Sequence, residues 1–170
     1  LGIVGFGGIG RLAARLGRAL GMQVIGFDAQ IASSSPVWNA EGVEPRSFDA
    51  LLARADVVTL HVPLVAATRH LIDTERLRLM KPGTILINTA RGGVVDEAAV
   101  AVALKSGRLG GAALDVFEQE PLAGGSPLAG CPNLLLTPHI AGVTAESNTR
   151  VSTLIAEQVA AALARIRATG

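Results

Sequence analysis

The sequence predicts an α/β fold with a doubly wound parallel sheet, and three observations carry that expectation. Leu1–Val4, Val24–Phe27, Val57–Leu60, Ile85–Ile87 and Ala112–Leu114 are apolar nearly throughout, as expected of parallel strands covered by helices on both faces. Segments of helical periodicity alternate with these runs. A glycine-rich turn joins the first run to the first helical segment.

The elements follow in order. Leu1–Val4 is the first expected strand. Ile9, Leu12, Ala13, Leu16 and Leu20 recur three or four positions apart, which predicts an amphipathic helix with these residues facing the core, ended by Gly21. Gln23–Phe27 is the second strand. Ser33-Ser34-Ser35-Pro36 and Pro45 make 30–46 a loop with at most a short helix. Ser47 is placed to cap a helix over Asp49–Ala55. Val57–Leu60 is the third strand, stopped by Pro63. Asp73 or Thr74 caps a helix to Met80, broken by Lys81-Pro82-Gly83. Thr84–Asn88, Gly110–Leu114 and Leu134–Thr137 complete the strands. Asp96 caps a helix over Glu97–Ser106, and a long helix closes the chain over 144–168.

Composition bounds the function. A chain of 170 residues, 49% of them hydrophobic, fills one domain with a full core and buries roughly 70% of its unfolded surface. This apolar content excludes a disordered chain. Charged residues make up 17% and the net charge is +1, which argues against a nucleic-acid partner held by phosphate contacts. The longest apolar runs, such as Ile85-Leu86-Ile87, fall far short of a membrane span. Cys131 is the single cysteine, which excludes an internal disulfide and suits a reducing, cytoplasmic compartment. Leu1 already lies in an expected strand, with no basic leader before it, so the chain reads as a piece of a longer protein.

The chemistry is concentrated after the strands. Gly5-Phe6-Gly7-Gly8-Ile9-Gly10 is a G-x-G-x-x-G between strand and helix. Gly5 permits the tight turn, Gly7 lets a pyrophosphate approach the backbone, and Gly10 lets helix and strand pack closely. The helix N-terminus then offers unpaired N–H groups to phosphate. Asp28 ends the second strand, eighteen residues past Gly10. A carboxylate there accepts hydrogen bonds from the adenine-ribose hydroxyls of NAD and repels the extra phosphate of NADP. No arginine lies in 29–45. Together these features predict a Rossmann-like NAD-binding domain. Arg91 follows the fourth strand, and its planar fork suits a substrate carboxylate. His139 follows the last strand, and Glu118 and Glu120 follow the fifth. A histidine paired with a carboxylate is a proton-transfer device, although His139 alone also reads as a structural residue. His61 reads as structural, His70 as part of a solvated turn and Cys131 as inert. Trp38 has no assignable role. No metal cluster or phosphate-binding lysine motif is present.

The glycine turn, the segment Asn88–Asp96, Leu114-Asp115-Val116-Phe117-Glu118-Gln119-Glu120-Pro121 and Thr137-Pro138-His139 occur in the order and spacing of a known family. The chain resembles the nucleotide-binding domain of the D-isomer-specific 2-hydroxyacid dehydrogenases over essentially its whole length. The resemblance implies a catalytic trio of Arg91, Glu120 and His139. It implies NAD contacts at Gly5, Gly7, Gly8, Ile9, Gly10, Asp28, Val62, Thr89, Ala90, Arg91, Asp115, His139, Ala141 and Gly142. It further implies a small 2-hydroxy or 2-oxo acid substrate, no metal, and a homodimer to which Glu97–Leu114 and 121–132 contribute. The family often has Arg or Asn where this chain has Gly8. Its members also carry a second, substrate domain, to which the last helix would lead back, so residues 1–170 alone are expected to be inactive. Related corepressors keep the fold and the trio but sense NAD(H) without turnover, and that is the alternative reading. Formate dehydrogenases pair the histidine with glutamine, which Glu120 disfavours.

Overall fold

The computed structural model describes residues 1–169, with side chains to residue 165. The chain forms two compact units, Leu1–Pro138 and a second beginning at His139. In the first, β1 (Gly2–Val4), β2 (Ile25–Phe27), β3 (Glu44–Pro45), β4 (Val57–Leu60), β5 (Thr84–Asn88), β6 (Leu109–Leu114) and β7 (Leu134–Leu136) form one sheet. Its order is β3-β2-β1-β4-β5-β6-β7, and each neighbouring pair is parallel. The order reverses between β1 and β4, which is the switch point where such sheets bind ligands. The short edge strand β3 lies in the stretch read as a loop from the sequence. Its two residues give no periodicity to detect.

Capping residues set the helix starts. Ser47 accepts from Ala50 N at 3.4 Å ahead of α3 (Phe48–Arg54). Asp73 accepts from Arg76 N at 2.9 Å ahead of α4 (Thr74–Leu79), and Asp96 from Ala99 N at 3.0 Å ahead of α5 (Glu97–Lys105). Each satisfies an amide that the helix leaves unpaired. Arg108 closes the other end of α4, donating to Leu77 O at 3.3 Å, to Arg78 O at 2.5 Å and to Met80 O. Leu51, Leu52, Leu77, Val100 and Leu104 from these helices bury with Val4, Val58, Leu60, Leu86 and Leu114 of the sheet.

On the other face, α1 (Gly8–Ala19) reverses the sequence expectation. Ile9, Leu12, Leu16 and Leu20 are 70%, 57%, 68% and 81% exposed, while Gly10, Ala14 and Gly17 are buried. The sheet lies too close for leucine. A Cβ on Gly10 would stand 2.0 Å from Gly5 O, and one on Gly17 2.5 Å from Leu1 Cδ2. The small residues therefore make the contact, and the larger apolar stripe faces away. The expectation of cover on both faces also fails near β5–β7, where Ile85 and Ile87 are half-buried and Leu135 is exposed.

Trp38 lies in the short helix α2 (Pro36–Ala40) and is buried. Its ring stacks on Phe6 with centroids 4.3 Å apart, and its indole N–H donates to Ala32 O at 2.9 Å. Gly26 of β2 makes room for it, since a Cβ there would meet the indole at 2.6 Å. Arg15 of α1 grips Glu41 with two bonds of 2.7 and 2.6 Å, fastening the loop from outside.

In the second unit, α6 (Ala145–Thr169) begins one residue later than expected because Thr144 is its cap. Ser147 N donates to Thr144 Oγ1 and Thr144 N to Ser147 Oγ, both at 3.0 Å, a reciprocal capping pair. Val151, Leu154, Ile155, Val159 and Leu163 make an exposed apolar stripe along it. Among the described residues no helix is long and apolar enough to cross a membrane.

Trp38→Ala is expected to lower the unfolding free energy by about 3–5 kcal/mol. Trp38→Phe keeps the ring stack and is expected to cost about 1–2 kcal/mol. Urea unfolding followed by circular dichroism checks both, and an unchanged midpoint for Trp38→Ala contradicts the packing described.

Candidate active site

The carboxyl ends of six adjacent strands carry the predicted residues of the first unit. Gly5 follows β1, Asp28 follows β2, His61-Val62 follow β4, Thr89-Ala90-Arg91 follow β5, Asp115 follows β6 and Thr137 follows β7. A parallel sheet brings all these ends to one edge, so residues far apart in sequence share one crevice.

The turn after β1 is built on close backbone approach. Gly5 has φ +91°, and a Cβ there would stand 2.6 Å from His61 O. Gly7 caps α1 with no side-chain bond, and the first turn holds no acidic residue. Gly7 and Gly8 are exposed, with open space where a Cβ would lie. Helix N–H groups and the positive end of the dipole thus face an open, uncapped cradle, which fits a diphosphate. Asp28 is drawn to this turn. Its Oδ2 accepts from Phe6 N at 2.6 Å and its Oδ1 from Gln30 N at 2.8 Å. A carboxylate held one strand from a phosphate cradle fits the adenine-side ribose of a dinucleotide. Ile9 and Val62 border the same turn; Ile9 is exposed, and Val62 approaches Gly5. Burial pushes the His61 imidazole pKa down, and its Nε2 lies 3.2 Å from Thr59 Oγ1.

Beyond β5 the chain folds around a fully buried Asn88. Its Nδ2 donates to Arg91 O at 3.0 Å and its Oδ1 accepts from Ala90 N at 3.1 Å. This staple presents Thr89 and Arg91 outward. The Arg91 guanidinium is exposed and donates to Ala90 O at 2.5 Å. Gly92 then touches the loop after β6, where a Cβ would stand 1.7 Å from Phe117 O. The Arg91 turn and the segment carrying Glu120 are therefore in backbone contact.

In that segment Asp115 is buried, and its Oδ1 accepts from Thr137 Oγ1 at 2.5 Å. Glu120 is exposed, and its Oε1 accepts from Phe117 N at 3.0 Å. Glu118 is exposed at the surface but tied to the start of α5. Its Oε1 accepts from Glu97 N at 3.2 Å. His70, expected in a solvated turn, places Nε2 3.3 Å from Glu118 Oε1, an ion-pair separation without hydrogen-bond geometry. Sequence reasoning missed these pairings because their partners lie 21 and 48 positions away. In the second unit His139 has φ +55°, and His139, Ala141 and Gly142 are all exposed. Cys131 is half-buried, with Sγ 3.5 Å from Pro127 O. Among the described residues no group of three or more His, Cys, Asp or Glu is placed to hold a metal ion.

A reversed parallel sheet with an uncapped glycine turn and a carboxylate on the neighbouring strand defines a dinucleotide-binding domain. The NAD-binding domain of the D-isomer specific 2-hydroxyacid dehydrogenases matches residues 1–141, and the chain belongs to that family. It is 53% identical over 163 residues to the (S)-sulfolactate dehydrogenase of Chromohalobacter salexigens, covering 96% of this chain and 52% of that protein. The crystal structure of a glyoxylate reductase from Paecilomyes thermophila superposes with a TM-score of 0.87 at 40% identity, covering 95% of this chain and 48% of that one. The D-lactate dehydrogenase of Aquifex aeolicus, complexed with NAD and lactic acid, superposes with a TM-score of 0.84 at 37% identity, covering 95% and 52%. The chain thus spans about half the length of these relatives. NAD is the cofactor of the domain.

Gly10→Ala forces a Cβ against the Gly5 carbonyl and is expected to cost about 1–3 kcal/mol of stability. It is also expected to weaken NADH binding more than about tenfold, by moving the helix N-terminus off the turn. Thermal unfolding and calorimetric titration read the two effects. Wild-type NADH affinity in the variant contradicts the assignment of the turn.

Proposed function

We propose that the full-length protein is an NAD-dependent oxidoreductase that interconverts a small D-2-hydroxy acid and its 2-oxo acid. The observation that carries this reading is the contact between Gly92 and Phe117. It joins the Arg91 turn to the Glu120 segment at the edge that also holds the glycine turn and Asp28. That a carboxylate-binding cation and a carboxylate suited to proton transfer follow strands of the same sheet supports this reading. The dehydrogenase and reductase names of the relatives favour this reading over an NAD(H)-sensing corepressor.

The cofactor, when bound, supplies or accepts the hydride. Arg91 holds the substrate carboxylate through its planar fork and steers the carbonyl carbon. In reduction His139 gives a proton to the carbonyl oxygen; in oxidation it takes the hydroxyl proton. Glu120 is the carboxylate that orients that imidazole and balances its charge. Val62, Thr89, Ala90, Asp115, Ala141 and Gly142 complete the cofactor surface, with Thr137 holding the Asp115 carboxylate. Reduction consumes one oxo acid, one NADH and one proton, and yields the hydroxy acid and NAD. A net charge of +1 supports a small-molecule partner in place of nucleic acid. A homodimer and a cytoplasmic location complete the reading. Val102, exposed on α5 within the segment expected to contribute, supports the first, and the single cysteine supports the second.

His139→Gln and Glu120→Gln in the full-length protein are each expected to lower kcat for a 2-oxo acid by about 10²-fold or more, the usual scale of proton-transfer catalysis. The KM for NADH is expected to stay within about threefold, because neither change touches the phosphate cradle. Steady-state kinetics with glyoxylate and hydroxypyruvate check this. A kcat within threefold of the unaltered enzyme for both variants overturns the assigned roles.

A further inference from the structure

Glu97 and Glu118 form a closed pair outside the cofactor cradle. Glu97 Oε1 accepts from Glu118 N at 2.6 Å, and Glu118 Oε1 accepts from Glu97 N at 3.2 Å. Each side chain satisfies the other's backbone amide across 21 positions of sequence. Glu97 is 7% exposed although it opens α5, where Asp96 already serves as the cap. A helix N-terminus favours nearby carboxylates, so two acids are tolerated here where they would otherwise repel.

The pair is coupled to the loops assigned to chemistry. Phe117, next to Glu118, donates its amide to Glu120 Oε1 at 3.0 Å. Two consecutive amides of this segment are therefore held by two carboxylates, Glu118 N by Glu97 and Phe117 N by Glu120. Phe117 O faces Gly92 at the closest backbone approach of the Arg91 turn. His70 stands beside Glu118 Oε1, and its own amide donates to Gly93 O at 2.8 Å. The direction of the Glu120 carboxylate thus depends on a backbone that Glu97 and Glu118 pin to α5.

We propose that Glu97 and Glu118 are positioning residues for Glu120, holding the segment after β6 so that its carboxylate is presented at the crevice. This inference rests on the functional reading above. The bond, not the charge, does the positioning. Burial pushes the Glu97 carboxyl pKa up, the bond from Glu118 N works against this, and the Glu118 and Asp96 charges add to the rise. A glutamine keeps the same acceptor oxygen without the charge, so it restores the function that alanine removes.

The test uses the full-length protein with Glu97→Ala, Glu97→Gln, Glu118→Ala, Glu118→Gln and Glu120→Gln. Hydrogen exchange at the Phe117 and Glu118 amides and steady-state kinetics are read together. Glu97→Ala is expected to speed exchange at both amides about tenfold and to lower kcat about tenfold, with KM for NADH within about twofold, as the loss of a buried bond to charge implies. Glu97→Gln is expected to return both readouts to within about threefold of the unaltered protein. If Glu97→Ala does not fold, Glu118→Ala gives the same test through the other bond, with Glu118→Gln as its rescue. Faster exchange with unchanged kcat overturns the proposal, as does a glutamine variant that fails as badly as alanine. Glu120→Gln separates the two levels. Full turnover in that variant sinks the functional reading itself. A loss of turnover there, with none in Glu97→Ala or Glu118→Ala, sinks the positioning role alone.

Discussion

A 2.6 Å hydrogen bond from the Phe6 amide to Asp28 ties the glycine turn to the end of the second strand. The proposed cofactor site depends on it. It requires the turn to bend back at Gly5, whose φ of +91° is a left-handed conformation that favours glycine. It requires α1 to start directly against that turn, which only a glycine at position 10 permits. The result is a helix N-terminus without its own cap beside a fixed carboxylate, one group suited to phosphate and the other to a ribose diol. The wedge of Trp38 behind Phe6 holds the turn from below.

The rest of the edge obeys the same rule of close backbone approach secured by side chains. Asn88 closes the Arg91 turn, Gly92 admits Phe117, and Glu97 and Glu118 lock the segment beyond. These are buried or half-buried polar bonds between loops, where an unmade bond is costly. Loops built this way hold functional groups more firmly than their irregular backbone suggests. The leucine stripe on α1 contributes nothing to this edge. The glycines and alanine on its opposite side do, by letting the helix sit low on the sheet.

Much of this was legible from the residues. The parallel sheet and all its strands but β3 follow from apolar runs separated by helical periodicity. Ser47, Asp73 and Asp96 announce their helices because a cap is a local device. Gly5, Gly10 and Asp28 are legible because the turn's chemistry is carried within the motif and on the next strand. What was illegible is non-local. Periodicity marked Ile9, Leu12, Leu16 and Leu20 as core, but periodicity does not say which face of a helix meets a sheet at short range. Trp38 gave no signal because its partners, Phe6 in the glycine turn and Gly26 in β2, lie 32 and 12 positions upstream. His70 read as solvated, and the bonds of Glu118 went unread, because no spacing rule predicts partners 48 and 21 positions away. One signal was present for Glu97: an acid directly after a capping aspartate, opening an alanine- and valine-rich helix with little polar face.

The direct measurement of the central claim is a calorimetric titration of the protein with NADH and with NADPH, repeated on Asp28→Ala. NADH is expected to bind at least about tenfold more tightly than NADPH, since an added phosphate would meet the carboxylate at close range. Removing that carboxylate narrows the gap to within about threefold. Equal or tighter binding of NADPH by the unaltered protein would contradict the role of Asp28 at the ribose.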